Sequence, residues 1–138
     1  MTADELARSY FNRSAKRWLA LEVLMQHDAF PDVVREAQEI VELVLKGMLR
    51  AVGIDPPKWH DVGQILLEHA DKFPPALRTE LADFATISRR LRRDREAAFC
   101  GDTDLIPEQV LDRSSAQQAL DDARRVLADV PHFLGQPG

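Results

Sequence analysis

The sequence predicts an all-α protein, an up-and-down bundle of four long helices plus one short helix. Apolar residues recur at spacings of three and four along four long stretches, which is the pattern of one face of an α-helix. Prolines, glycines and capping residues separate these stretches, and none shows the sustained alternation of a half-buried β-strand. Amphipathic helices joined by short connections cover their apolar faces by packing on one another, which favours a bundle.

The first two helices are predicted from their caps and from one long apolar stripe. The first is capped at its N-terminus by Thr2 or Asp4 and ends near QHDAFPD, residues 26–32. The second opens at Pro31, since proline is favoured in a first helical turn, and Gly53 supplies a left-handed stop. Its apolar stripe is nearly unbroken, so we expect this helix at the centre of the bundle.

The third and fourth helices follow a Pro-rich connection with the sequence GIDPPKWHD. Asp61 is placed to cap a short third helix, which the paired prolines of KFPP end. The fourth helix starts around Pro75 and carries its apolar stripe to Phe99, after which Gly101 closes it. Its last third contains a dense run of arginines.

A short turn from Pro107 leads to the fifth helix. This helix is expected to be capped by Ser114 or Ser115 and to stop at Pro131. With 138 residues, 45% of them hydrophobic, the chain is long enough to bury one core and too short for two. We therefore expect a single domain over residues 1–134 and a flexible tail at residues 135–138.

Charge and cysteine content limit the classes of function. The formal net charge of −5 argues against a protein that coats nucleic acid through bulk positive charge, so any polyanion would have to meet a local basic patch. One cysteine cannot form an internal disulfide, and no Cys/His pair has zinc-type spacing, so we expect no metal site and no cofactor. The chain shows neither a signal-peptide core nor a run of roughly 20 apolar residues, so we expect a cytoplasmic protein that does not enter a membrane.

Three segments together resemble one family. They are REAQEIVELVLKGML (35–49), IDPPKWHDVGQILL (54–67) and RRDREAAFCGDTDLIP (92–107). In this order and with these gaps, the sequence resembles the HEPN domain, a small helical domain of prokaryotic and eukaryotic nucleotide-binding proteins. The resemblance spans nearly the whole chain.

The resemblance implies two kinds of function. Many HEPN domains are metal-independent ribonucleases or toxins that use an Arg-x4-His motif across a two-fold dimer. Others lack the motif and bind a nucleotide or a protein, often encoded beside a small nucleotidyltransferase. Here Cys100 stands where the motif would place histidine after Arg95, and Ala97 and Ala98 stand at that spacing after Arg92 and Arg93.

Arg95 and Cys100 are the candidate catalytic residues. Cleaving RNA without a metal needs a base, an acid and a cation, and histidine near neutrality serves the first two roles while arginine serves the third. A thiol with an ordinary pKa of about 8.5 is a poor general acid, and a lone cysteine is more often a buried apolar contact. We therefore favour a structural role for Cys100.

The arginine run also has two interpretations. One is a solvated helix face with salt bridges to Asp94 and Glu96 and favourable positions near the helix C-terminus. The other is a polar site at a dimer cleft, to which residues of the second helix and of the following loop contribute. Its candidate ligand-binding residues are Arg92, Arg95, Glu96, Gln38, Glu42, Lys46 and His60. Glu42 and Lys46 form an i, i+4 pair, whereas His60 has the alternative of being only the loop residue before the Asp61 cap.

The preferred hypothesis is a non-nucleolytic HEPN module. It would form a homodimer, because the stripe of the second helix and the apolar residues of the first and fourth exceed what one thin bundle can bury. It would bind a nucleotide, RNA or a protein, with a nucleotidyltransferase as the expected partner in a system of toxin–antitoxin type. The alternatives are a ribonuclease toxin with an altered motif and a purely structural interaction protein.

Overall fold

The computed structural model describes residues 2–56, 58, 61–99 and 106–130. It contains six helices: α1 (Ala3–Gln26), α2 (Phe30–Ala51), α3 (Val62–Glu68), α4 (Pro75–Phe99), α5 (Pro107–Val110) and α6 (Arg113–Ala128). A 3-10 turn, Ala70–Lys72, follows α3. No strand occurs in these described ranges. The predicted all-α bundle with four long helices is confirmed, and α5 is a single helical turn at the position where a turn from Pro107 was predicted.

Helix α2 is the centre of the bundle. It contacts α1, α6, α4 and α3, and fourteen of its 22 residues are buried. Its apolar stripe merges with the inner faces of the other helices in one core, where Phe11, Phe73 and Phe84 are among the largest fully buried side chains. A helix with such a wide apolar face is expected in this place.

Local chemistry fixes the helix ends. The Thr2 hydroxyl accepts from the Glu5 amide, and the Glu5 carboxylate accepts from the Thr2 amide, so α1 begins with a capping box. Asp61 caps α3 by accepting from the Gly63 amide, as predicted. Gly53 has a φ of 82° and ends α2 in the predicted left-handed conformation.

The prediction that Ser114 or Ser115 caps the last helix is wrong. Asp112 is the N-cap, and its side chain accepts from the Ser115 amide 3.0 Å away. Ser115 occupies the third helical position, where its hydroxyl accepts from the Asp112 amide. Aspartate and serine are equally good caps, so the backbone decides between them: Asp112 is extended, as a cap must be.

Two glycines allow helices to approach closely. A Cβ at Gly47 of α2 would stand 2.6 Å from Cε1 of the Phe11 ring on α1. A Cβ at Gly63 of α3 would stand 2.7 Å from the Cα of Ala85 on α4. These helix pairs therefore pack with no room for a methyl group at either position.

The bundle covers more apolar surface than the sequence suggested. The whole stripe of α2 is buried within one chain, and so are the apolar residues of α4 from Leu77 to Leu91. The expected apolar excess on these two helices is therefore absent, because α2 packs on all five of the other helices. On α1, by contrast, Leu19 and Val23 stay exposed.

The predicted tail and part of the predicted Pro-rich connection fall outside the described residues. The predicted loose tail at 135–138 lies outside the described residues, as do Pro57 and Trp59 of the Pro-rich connection. Within the described part, no helix is both long enough and apolar enough to span a bilayer.

Candidate functional site

A row of polar contacts joins α2 to α4. In these contacts, higher residue numbers on α2 are paired with lower residue numbers on α4, so the two helices run antiparallel. We call this row the α2–α4 ladder. It consists of Arg35, Gln38, Glu39 and Glu42 on α2 and of Ser88, Arg92, Arg95 and Phe99 on α4.

The inner end of the ladder is buried. Oε1 of Glu42 accepts from the Ser88 hydroxyl at 2.9 Å and from Nη2 of Arg92 at 2.9 Å. The Ser88 residue is 1% exposed, and the Glu42 side chain is 11% exposed. A carboxylate in such a place needs a cation and hydrogen bonds to offset its desolvation. Arg92 and Ser88 provide them.

The middle of the ladder is half exposed. Nη1 of Arg95 donates to Oε1 of Glu39 at 2.6 Å and also contacts Oε1 of Gln38. The side chains of Arg95 and Glu39 are 32% and 37% exposed. Arg95 is therefore held against α2 while part of it faces solvent.

The outer end of the ladder carries an arginine on an aromatic ring. The guanidinium carbon of Arg35 lies 3.9 Å from the centroid of the Phe99 ring, a close cation–π contact. Arg35 is exposed, and within the described part of the chain it forms no ion pair. The N–H groups of a guanidinium lie in its own plane, so they remain able to donate when the group lies over an aromatic ring.

The other arginines of the run pair in different directions. Arg90 of α4 donates to Asp122 of α6, which also accepts from Gln118 and is 7% exposed. Arg89 lies 3.4 Å from the Asp61 carboxylate, which caps α3. The expected salt bridges to Asp94 and Glu96 are absent among the described residues. The run instead ties α4 to α2, α3 and α6, because successive residues at 100° intervals face different neighbours.

The structure brings four of the predicted site residues together, namely Gln38, Glu42, Arg92 and Arg95. Lys46 lies one turn beyond Glu42 on α2 and is half buried. Among the described residues, no ion pair joins Glu42 to Lys46, and the carboxylate of Glu42 pairs with Arg92. Glu96 is exposed and takes no part in the ladder.

His60 and Cys100 lie outside the described residues, so their roles stay predictions. Sequence reasoning missed Arg35 and Glu39. Their one signal was spacing: Arg35, Glu39 and Glu42 recur at intervals of four and three on α2, and therefore share a face.

The ladder is suited to binding an anion. Guanidinium groups stay charged at all physiological pH values and donate to carboxylate or phosphate oxygens in a fixed geometry. Contacts with described residues use one terminal nitrogen on Arg92 and one on Arg95. No group of three or more metal-ligating side chains occurs in the described part of the chain.

The comparisons with known proteins agree with this architecture. No curated protein and no solved structure matches the chain. A family model, described as the HEPN domain, matches residues 7–133. This range covers most of the chain and includes every residue of the α2–α4 ladder. The chain therefore belongs to the HEPN domain family.

Proposed function

We propose that this HEPN protein is a dimeric nucleotide- or partner-binding module that acts with a nucleotidyltransferase in a system of toxin–antitoxin type. The observation that supports it best is the pair of arginines, Arg92 and Arg95, fixed on α2 by Glu42, Gln38 and Glu39. Arginines held in place lose less conformational entropy on binding a ligand than free surface arginines do.

The composition of the ladder favours binding over catalysis. It contains no histidine, which is the side chain that serves as both base and acid near neutral pH. Two of its three arginines, Arg92 and Arg95, also have carboxylate partners already, so much of their charge is neutralised within the chain. A surface that grips RNA through phosphate contacts needs uncompensated cations. Recognition of one small anionic group is a better match.

Dimerisation is the second part of the proposal. Leu19 and Val23 are exposed one turn apart on α1, at 63% and 53%, and an apolar pair of this kind is a suitable centre for a two-fold contact. Light scattering should give twice the chain mass of 15.6 kDa. A Leu19→Glu variant should give the single-chain mass, and a single-chain mass for the unchanged protein at micromolar concentration would contradict dimerisation.

Binding should depend on Arg95. The protein, an Arg95→Ala variant and an Arg93→Ala control would be compared for binding of ADP and of a candidate nucleotidyltransferase partner. Arg93 is a suitable control because it lies on the same helix, is exposed and forms no ion pair with a described residue. We expect Arg95→Ala to weaken binding of ADP or of the partner about tenfold or more, while Arg93→Ala leaves both unchanged.

Equal binding by the two variants would contradict the proposal. It would leave the ladder with a purely structural role. Melting curves on the same samples show whether Arg95→Ala remains folded, so that lost binding is not confused with unfolding.

A further inference from the structure

We propose that Arg35 and Arg95 form a seat for a phosphate group, and that the carboxylate of Glu39 fills this seat until a ligand displaces it. The inference rests on the proposed function, because it names the anionic group that the site would bind and the residue that sets its affinity. Arg35, Glu39 and Phe99 thereby become part of the site.

The register of the ladder places Arg35 and Arg95 on neighbouring rungs. Arg35 precedes Glu39 by one turn on α2, and Arg95 precedes Phe99 by one turn on α4. Arg35 contacts Phe99 and Arg95 contacts Glu39, so these are neighbouring rungs between antiparallel helices. Successive rungs are one helical turn apart, about 5.4 Å along the helix axis. In the proposed seat, one phosphate lies between these two rungs and accepts from each guanidinium at about 2.7–2.9 Å.

The charges of these two rungs do not balance. Among the described residues, Arg95 pairs with the carboxylate of Glu39, whereas Arg35 contacts the Phe99 ring and pairs with no carboxylate. At the buried rung, Arg92 and Glu42 are matched one to one. Among the described residues, the surplus cation is therefore Arg35, which is exposed. A group with more than one negative charge would satisfy it.

Exposure decides which carboxylate is able to leave. The Glu39 side chain is 37% exposed and has solvent to return to, whereas that of Glu42 is 11% exposed and would be left desolvated without Arg92. A phosphate monoester or diphosphate has up to two charges and three acceptor oxygens on its terminal group. It replaces the single carboxylate of Glu39 with a stronger partner for both guanidinium groups.

Phe99 contributes by holding Arg35 in position. The 3.9 Å contact holds the Arg35 guanidinium over the ring. The ring is half buried and belongs to the residues packed on the core. Arg35 is thus oriented by packing, without a carboxylate that would compete with the ligand.

The test measures affinity for three probes by isothermal titration: inorganic pyrophosphate, ADP and adenosine. Pyrophosphate and ADP share the phosphate chemistry, and adenosine lacks it. Glu39→Gln should strengthen binding of pyrophosphate and ADP about two- to fivefold, because it removes a half-exposed competing ion pair. Arg35→Gln and Arg95→Gln should each weaken it about tenfold.

Two matched controls isolate the seat. Glu96→Gln removes the same charge from an exposed glutamate next to Arg95 that lies outside the ladder, so it measures the general effect of one fewer negative charge. Arg93→Gln removes one positive charge outside the ladder, so it measures the general effect of one fewer cation. A gain for Glu39→Gln no larger than that for Glu96→Gln would overturn displacement, and so would binding of adenosine as strong as that of ADP.

The outcomes separate this inference from the proposed function. If neither the protein nor Glu39→Gln binds pyrophosphate or ADP at about 10 mM, beyond the range of weak specific sites, the phosphate seat is refuted. Binding of the nucleotidyltransferase that still depends on Arg95 would then leave the proposed function standing. Loss of that dependence as well would refute both.

Discussion

Arg92 and Glu42 face each other across the contact between α4 and α2, with Nη2 of the arginine 2.9 Å from Oε1 of the glutamate. They are 50 residues apart in sequence. Because Ser88 donates to the same oxygen, one carboxylate organises two donors from the fourth helix. This contact fixes the register on which the outer, more exposed rungs of the ladder depend.

Removing Arg92 should destabilise the fold. In Arg92→Ala, Glu42 keeps only the Ser88 hydroxyl and is left buried without its cation, so we expect a loss of about 1–3 kcal/mol in the free energy of unfolding. Urea denaturation measures it. Arg93→Ala, on the exposed side of the same helix, should change stability by less than about 0.5 kcal/mol. Equal effects of the two variants would show that the buried rung contributes no stability.

Arg90 and Asp122 should be energetically coupled across α4 and α6. The two side chains are 35% and 10% exposed, so the pair is better shielded from water than a surface salt bridge. A double-mutant cycle with Arg90→Ala and Asp122→Ala should give a coupling of about 0.5–2 kcal/mol. Arg124 and Asp121, which are both more than half exposed on α6, supply the reference cycle. A coupling no larger than in this reference would contradict the prediction.

Gly47 should not tolerate a methyl group. In Gly47→Ala the new Cβ would meet the Phe11 ring at 2.6 Å, and that ring is 2% exposed within the core, so it has little room to move. We expect a loss of about 1–3 kcal/mol from overpacking. Combining Gly47→Ala with Phe11→Leu should recover part of the loss relative to the sum of the single changes. Strict additivity in thermal denaturation would mean that the clash is not the cause.

The cap of α6 should make stability depend on pH in acid. Hydrogen bonds from the backbone amide and the hydroxyl of Ser115 lower the pKa of the Asp112 carboxyl below its ordinary value of 3.8. A lowered pKa in the folded state stabilises the protein above pH 3.8, and this contribution is lost as pH falls through the folded-state pKa. Asp112→Asn keeps a capping oxygen that does not titrate. The difference in the free energy of unfolding between the two proteins should therefore be constant near neutrality and should shrink below pH 3.8. A difference that stays constant down to pH 2 would contradict this prediction.

The protein alone should not cleave RNA. Because no histidine stands five residues after Arg92, Arg93 or Arg95, we expect metal-free cleavage of single-stranded RNA no faster than that of Arg95→Ala. The assay is run with a chelator present. Cleavage that disappears in both Arg95→Ala and Cys100→Ser would instead establish a ribonuclease with an altered motif.

Helix positions were predictable because the signals lie within each segment. The stripe of α2, the proline at Pro75 and the glycine at Gly53 act over a few residues, and the structure places those boundaries within one or two residues of the expectation. The cap of α6 was misplaced since Asp112, Ser114 and Ser115 are all good caps, and only the backbone conformation distinguishes them.

The site was only partly predictable, because contacts between helices depend on a register that one sequence does not contain. The periodicity places Gln38 and Glu42 on one face of α2, but the position of α4 along that face decides which arginine meets which carboxylate. A shift of α4 by one turn would move Arg92 away from Glu42 and place it opposite Glu39. For the same reason, the sequence of α2 alone does not show that Glu39 meets Arg95.

The central position of α2 has a consequence for the timescale on which the site is able to change. Because α2 contacts all five of the other helices, its amide hydrogens should exchange with deuterium only when most of the molecule opens, and they should be the slowest of the chain. The amide hydrogens of the ladder residues on α2 should thus be among the slowest to exchange. Their partners lie on α4, which has one face in water, so their amide hydrogens should exchange faster. A ligand that bridges the two helices would extend the slow exchange of α2 to the last turns of α4.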